Sequence, residues 1–195
     1  MASSDQNQKE TPSQTAGPYV HIGLAPERAG LGNQTPSLGT LQADPTQGTP
    51  ITVTGQVFDG EGETVKDALI EVWHADAQGT HNSRRNAQAG WGRVVSDFET
   101  GQFAFETIKP GSVETSNGQI MAPHLNLWLV ARGINIGLQT RMYFPEDEAL
   151  FAADPVLQQI GDEARKATLI SHKSATGYSF NIILQGAGET VFFDF

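Results

Sequence analysis

Met121-Ala122-Pro123-His124-Leu125-Asn126-Leu127-Trp128 is the stretch on which the fold turns. Side chains on a β-strand alternate between its two faces. As a strand, the stretch sends His124, Asn126 and Trp128 to one face and Leu125, Leu127 and the following Leu129 to the other. The second face predicts a core, and the first a polar surface with something to do. Two imidazoles two residues apart would suit one metal, but the second position is Asn126, and an amide is a poor ligand for a transition metal. The strand therefore reads as half of a metal site.

The same alternation extends outward. Ile51, Val53, Gly55 and Val57 alternate with Thr52, Thr54 and Gln56, and Asp59-Gly60-Glu61-Gly62 then forms a hairpin-type turn. Strands are predicted at 68–75, 93–97, 102–107, 124–131, 138–144, 167–171, 178–185 and 190–195. Lys109-Pro110-Gly111 breaks the chain between two of them. The one helical region is expected at 145–163, with Glu146, Asp147 and Glu148 at its start and Pro155 interrupting it. Short strands closely spaced by turns predict an all-β, antiparallel β-sandwich. Residues 1–10 read as a disordered tail, 11–50 as an irregular N-terminal arm and loop, and 51–195 as the sandwich domain. The arm carries Tyr19, Val20, Ile22 and Leu24, apolar side chains that need a surface to lie against.

Composition narrows the chemistry. The 195 residues include no cysteine, which excludes disulfides, thiolate metal sites and a cysteine nucleophile. With 12 Lys plus Arg against 22 Asp plus Glu, the chain is a poor partner for nucleic acid or an anionic membrane. No apolar run approaches the ~20 residues that cross a bilayer, and a soluble cytoplasmic protein is expected. Of the five histidines, only His124 lies on a strand face beside another polar side chain. Glu71, within the apolar run Ile70 to Trp73, calls for an arginine or backbone N–H partner. Tyr143 and Tyr178 read as core, whereas Tyr19 suits an interface.

Taken in order, the pieces resemble the intradiol ring-cleaving dioxygenases. The likeness rests on Gly55-Gln56-Val57 with Asp59, on Ile70-Glu71-Val72-Trp73 with Ala75-Asp76, on Gly92-Arg93, on Thr107-Ile108-Lys109-Pro110-Gly111 and on Pro123-His124. The first two segments also occur in transthyretin-like binding modules with no catalytic role, which is the alternative reading. Residues 11–19, Ala131-Arg132-Gly133-Ile134-Asn135-Ile136 and the C-terminal Gly188 to Phe195 resemble the alpha chain of members built from two chain types.

The resemblance implies ferric iron held by two tyrosines and two histidines in the chains that catalyse. It places one tyrosine where Val113 stands, a functional arginine at Met121, and the two histidines at His124 and Asn126. The other tyrosine would lie near Thr80 and His81, where there is none. One ligand in four survives, so no iron is expected here. The resemblance implies instead a heteromer: an iron-bearing beta chain would hold Fe(III), and this chain would line the pocket for an aromatic acid with Thr15, Gly17, Pro18, Tyr19 and Arg132.

Overall fold

A computed structural model of the chain describes residues 12, 14–26, 29–31, 48–81 and 90–194. The expected tail at 1–10, most of the loop at 26–50, the loop at 82–89 and Phe195 lie outside the described residues.

Two sheets face each other. In the first, β1 (Pro50–Phe58) is central. Along one edge it pairs antiparallel with β4 (Gln102–Ile108), with Val53 opposite Phe105. Along the other it pairs parallel with β10 (Gly177–Ser179) and β11 (Ile182–Ile183), and β9 (His172–Ser174) extends the sheet beside β10. The second sheet runs β3 (Trp91–Val95), β2 (Leu69–Trp73), β7 (His124–Val130), β8 (Leu138–Tyr143), antiparallel throughout. A small ribbon joins β5 (Val113–Glu114) to β6 (Ile120–Met121).

The alternation read from β1 and β7 builds the core. Ile51, Val53, Val57, Phe103, Phe105, Phe180 and Ile182 from the first sheet meet Ile70, Val72, Leu125, Leu127, Leu129, Met142 and Phe144 from the second. Each large side chain buried this way contributes ~1.5–3 kcal/mol, which holds the register. Gly55 is where β1 is met closely by the segment between β10 and β11 of its own sheet: a Cβ there would lie 1.9 Å from the carbonyl oxygen of Phe180.

Several expectations change. The first sheet is mixed, because β10 and β11 run parallel to β1. The turn after β1 closes on a Phe58–Thr64 bridge, but the chain then crosses to the second sheet. The arm is not wholly irregular: Pro18–Leu24 is a helix, α1, with Gly17 as its N-cap and Pro18 in its first turn. The region 145–163 breaks into a 3-10 turn at Pro145–Asp147, α2 (Glu148–Phe151) and a second 3-10 turn at Leu157–Gln159. The strand expected at 167–171 is instead the end of α3 (Glu163–Ala167) and one bridge at Ile170; Asp162 caps α3, accepting the Ala164 N–H at 2.8 Å. At the C-terminus only a bridge, Gln139 to Phe193, replaces the strand. No described helix is long and apolar enough to cross a membrane.

Gly55→Ala is expected to destabilise the sandwich by ~3 kcal/mol, at the upper end of ordinary overpacking, because the clash is with backbone. A urea midpoint unchanged from the parent chain would contradict this close approach.

Candidate functional site

The outer face of the second sheet, opposite the core, holds the residues singled out above. Cross-strand register arranges them in rows. His124 lies opposite Tyr143, and the next row runs Trp91, Trp73, Asn126, Arg141. The row beyond is Arg93, Glu71, Trp128, Gln139, and then come Val95, Leu69 and Val130. Glu71 accepts a hydrogen bond from Arg93 Nε, the partner its apolar surroundings demanded.

At one end of this face are the residues at the positions where the sequence reading expected a metal site. His124 is 2% exposed, and its Nδ1 lies 2.8 Å from the carbonyl oxygen of Ala122. A carbonyl only accepts, so Nδ1 carries the proton and Nε2 the lone pair. Burial, reinforced by the nearby Arg141 guanidinium, holds this imidazole at about 3. Val113 is paired with Met121 across the β5–β6 ribbon, and Asn126 donates to the carbonyl of Trp73 at 3.2 Å. Arg141 comes from β8 into this group. It is only 8% exposed, with Nη1 3.4 Å from the sulfur of Met121 and 3.4 Å from the phenol oxygen of Tyr143. Burial pushes the Tyr143 phenol up to about 12.

Ferric iron does not fit these residues. They offer one imidazole nitrogen, an amide, a thioether, an isopropyl group and a phenol that burial keeps protonated, with a guanidinium among them, and among the described residues no three His, Asp or Glu gather as metal ligands. A cation ~5 Å from a buried guanidinium is disfavoured by roughly 3 kcal/mol per unit of its own charge at an effective dielectric of ~20. Sequence reading missed Arg141, since β8 was judged by its apolar Met142, Tyr143 and Phe144. The signal was a single charge within that run.

At the other end lies the arm. Val20, Leu24 and Ala25 pack on Leu69, Val95, Trp128 and Val130, so the apolar side chains of the arm do find a surface. Polar contacts pin it: the Gly133 N–H donates to Thr15 Oγ at 2.7 Å, and His21 Nε2 donates to the carbonyl of Asp67 at 3.0 Å. Gly133 has φ +87°, the left-handed conformation that turns the chain after Arg132 and aims this N–H. Arg132 itself donates through Nε to the carboxylate of Asp67, while 72% of its side chain stays exposed.

Gly17, His21, Ile22, Lys66, Asp67, Phe98 and Arg132 all border an open cavity of about 530 Å³. A Cβ at Gly17 would meet nothing of this chain within 4 Å, so its room opens outward. Tyr19 also faces outward, 83% exposed. The structure thus puts Gly17 and Arg132 on one groove, ties Thr15 to Gly133 next to Arg132, and leaves Tyr19 exposed. The Lys66-Asp67 pair ahead of β2, with His21 and Phe98, escaped the sequence reading.

The chain has the fold and the sequence of the dioxygenase family. The model of the dioxygenase family matches residues 25–186, and the chain belongs to that family. It is 46% identical over 194 residues to the protocatechuate 3,4-dioxygenase alpha chain of Pseudomonas putida, with 95% of this chain and 96% of that one covered. It is 35% identical over 161 residues to the protocatechuate 3,4-dioxygenase beta chain of Burkholderia cepacia, covering 73% of this chain and 67% of that one. The fold matches the solved dioxygenase domain of a carbohydrate-binding fusion protein from Streptomyces sp. SirexAA-E, at a TM-score of 0.60, 24% identity, and 92% and 100% of the two chains.

The buried neutral His124 gives a pH dependence. Its folded value of about 3 lies below the ~6.5 of an unfolded histidine. Above pH ~6.5 both states are neutral and nothing is lost. As pH falls below that, only the unfolded chain takes the proton, so stability drops by up to ~1.4 kcal/mol per pH unit until the folded value is reached. His74 and His81, also lowered by burial, act in the same direction. In His124→Phe, the loss of urea stability between pH 7 and pH 5 is expected to be smaller than in the parent chain. Equal losses would show that His124 is not the buried neutral group described.

Proposed function

We propose that this chain is the alpha subunit of a two-chain protocatechuate 3,4-dioxygenase, working with a beta chain that holds the iron. The complex cleaves protocatechuate between its two hydroxyl-bearing carbons, incorporating both atoms of O2, and yields 3-carboxy-cis,cis-muconate as a step of aromatic catabolism in the cytoplasm. The ferric ion of the partner supplies Lewis-acid activation of the bound catechol. The part of this chain is to line the pocket for the anionic substrate.

One observation carries this reading. The arm groove and the His124 cluster sit at opposite ends of β7, and Arg132 follows His124 by eight residues, roughly 26 Å at ~3.3 Å per residue. Thr15, Tyr19 and Arg132 therefore cannot serve the His124 cluster of their own chain. If they serve a metal site, it belongs to another chain. The alignment with the Pseudomonas putida alpha chain also takes in more of this chain than residues 25–195 could supply, so it includes part of the arm that the family model leaves out.

Within the groove, the roles follow from the contacts. Asp67 engages Nε of Arg132, which orients the guanidinium and leaves its terminal nitrogens for a carboxylate. Lys66 adds a second cation in a chain whose formal net charge is -10. Gly17 and the Pro18 start of α1 set the direction in which Tyr19 meets the partner.

The pairing is tested by purifying the full chain alone and with a beta partner. Ferric-tyrosinate colour and ring cleavage are expected only in the co-purified complex; colour in the chain alone would overturn the assignment. In that complex, Arg132→Ala is expected to raise KM for protocatechuate about ten- to a hundredfold, the value of one charged hydrogen bond of ~1.5–3 kcal/mol. Asp67→Asn, which frees Arg132 without removing its charge, should raise KM less and leave kcat near the parent value. An unchanged KM in Arg132→Ala would remove that residue from the pocket.

A further inference from the structure

We infer that His21 is a positioning residue for the substrate carboxylate: from helix α1 of the arm it holds Asp67, and through Asp67 it sets the direction in which Arg132 is offered to the groove. This rests on the reading of Arg132 as the contact of that carboxylate. The links run in series across the groove. His21 Nε2 lies 3.0 Å from the carbonyl oxygen of Asp67, and a carbonyl only accepts, so Nε2 carries the proton. The carboxylate of the same Asp67 takes the Nε of Arg132. All three residues border the cavity of about 530 Å³. The Arg132 side chain is 72% exposed and that of Asp67 13%, so the carboxylate is the fixed member of the pair and the guanidinium follows it. An exposed ion pair is worth little unless its geometry is held. Asp67 is held from two sides, by the fully buried Ala68 that follows it and by His21 from the arm. The His21 ring is itself fixed, edge-on to Phe98 with ring centres 5.9 Å apart, on a helix whose Val20 and Leu24 pack on the second sheet. Thr15 accepts the Gly133 N–H at 2.7 Å, so the arm grips the residue after Arg132 as well as the partner of Arg132. A tie between arm and sandwich alone would be served by any backbone group. The group His21 takes belongs to the residue that orients Arg132.

The test uses the co-purified complex, with binding read from the ferric-tyrosinate colour as protocatechuate, or catechol, which lacks the carboxylate, is added. His21→Phe keeps a ring against Phe98 and removes the N–H. It is expected to weaken protocatechuate binding and raise KM about two- to tenfold, the worth of one neutral hydrogen bond. kcat should stay near the parent value and catechol binding should not change. His21→Gln, whose amide N–H can meet the same carbonyl, should restore most of the loss. In an Arg132→Ala background, His21→Phe should add nothing, because the group it positions is gone. His21→Met repeats the comparison should the phenylalanine variant misfold, and circular dichroism reports the fold of each. Four results overturn the inference: an unchanged affinity for protocatechuate, equal weakening for catechol, a glutamine variant no better than the phenylalanine one, or the same factor recurring without Arg132. An Arg132→Ala complex that binds protocatechuate as the parent does overturns the reading beneath it as well.

Discussion

The register of β7 against its two neighbours is the constraint from which the rest of the molecule follows. Leu125, Leu127 and Leu129 are committed to the core, and a slip of one residue would carry all three to the outer face and His124 into the interior of the sandwich. With that register held, every outer residue has a defined neighbour. Asn126 must meet Trp73 and Arg141, Trp128 must meet Glu71 and Gln139, and His124 must meet Tyr143. The outer face is thus a consequence of the inner one: burial of leucines on one side determines which polar groups share a row on the other.

The ends of that face differ in what covers them. At the His124 end, the loops after β8 build a second small core from Ala122, Tyr143, Leu157, Leu169 and Val191, which removes water from the imidazole and the phenol. Asp154, fully buried, holds this layer by accepting the backbone N–H groups of Ala122, Val156 and Leu157 at 2.8, 2.8 and 3.1 Å. At the other end the cover, among the described residues, is the short helix α1 of the arm, beside the groove.

How much of this was legible in the sequence depended on whether a signal was periodic. β1 and β7 alternate and are readable to within a residue or two, because both faces of each strand are spoken for, whereas β8, buried on both faces toward its end, is legible only as an apolar run. Helix α1 is not legible, since seven residues starting at Pro18 are too few for a 3.6-residue period to declare itself. The strand expected at 167–171 failed for a different reason. Leu169 and Ile170 are apolar because they sit in the small core, while Asp162 and the Glu163-Ala164-Arg165-Lys166 run had already specified a capped helix. In the candidate site, the departures from the family pattern are legible as residue identities at Val113, Met121 and Asn126. Arg141 and Asp67 are not, because their roles come from cross-strand and cross-sheet partners that no local pattern encodes.

The two arginines flanking this face show how environment divides one chemistry into two tasks. Arg132 lies beyond the last residue of β7, where the sheet ends and the arm leaves a gap. There its one strong partner, Asp67, takes Nε and leaves the rest of the guanidinium in water, where a carboxylate on another molecule can compete for it. Arg141 lies mid-strand in β8, where it is buried and its contacts include a thioether, a phenol and a ring. Burial first, and the nearby guanidinium second, lower both His81 and His124. Exchange of the two settings would exchange the behaviours: an exposed arginine lacking Asp67 would have no fixed direction, and a buried one could recruit no ligand from solvent. Position on the paired strands β7 and β8, in a register set by three buried leucines, therefore decides which arginine is offered outward and which is sealed within.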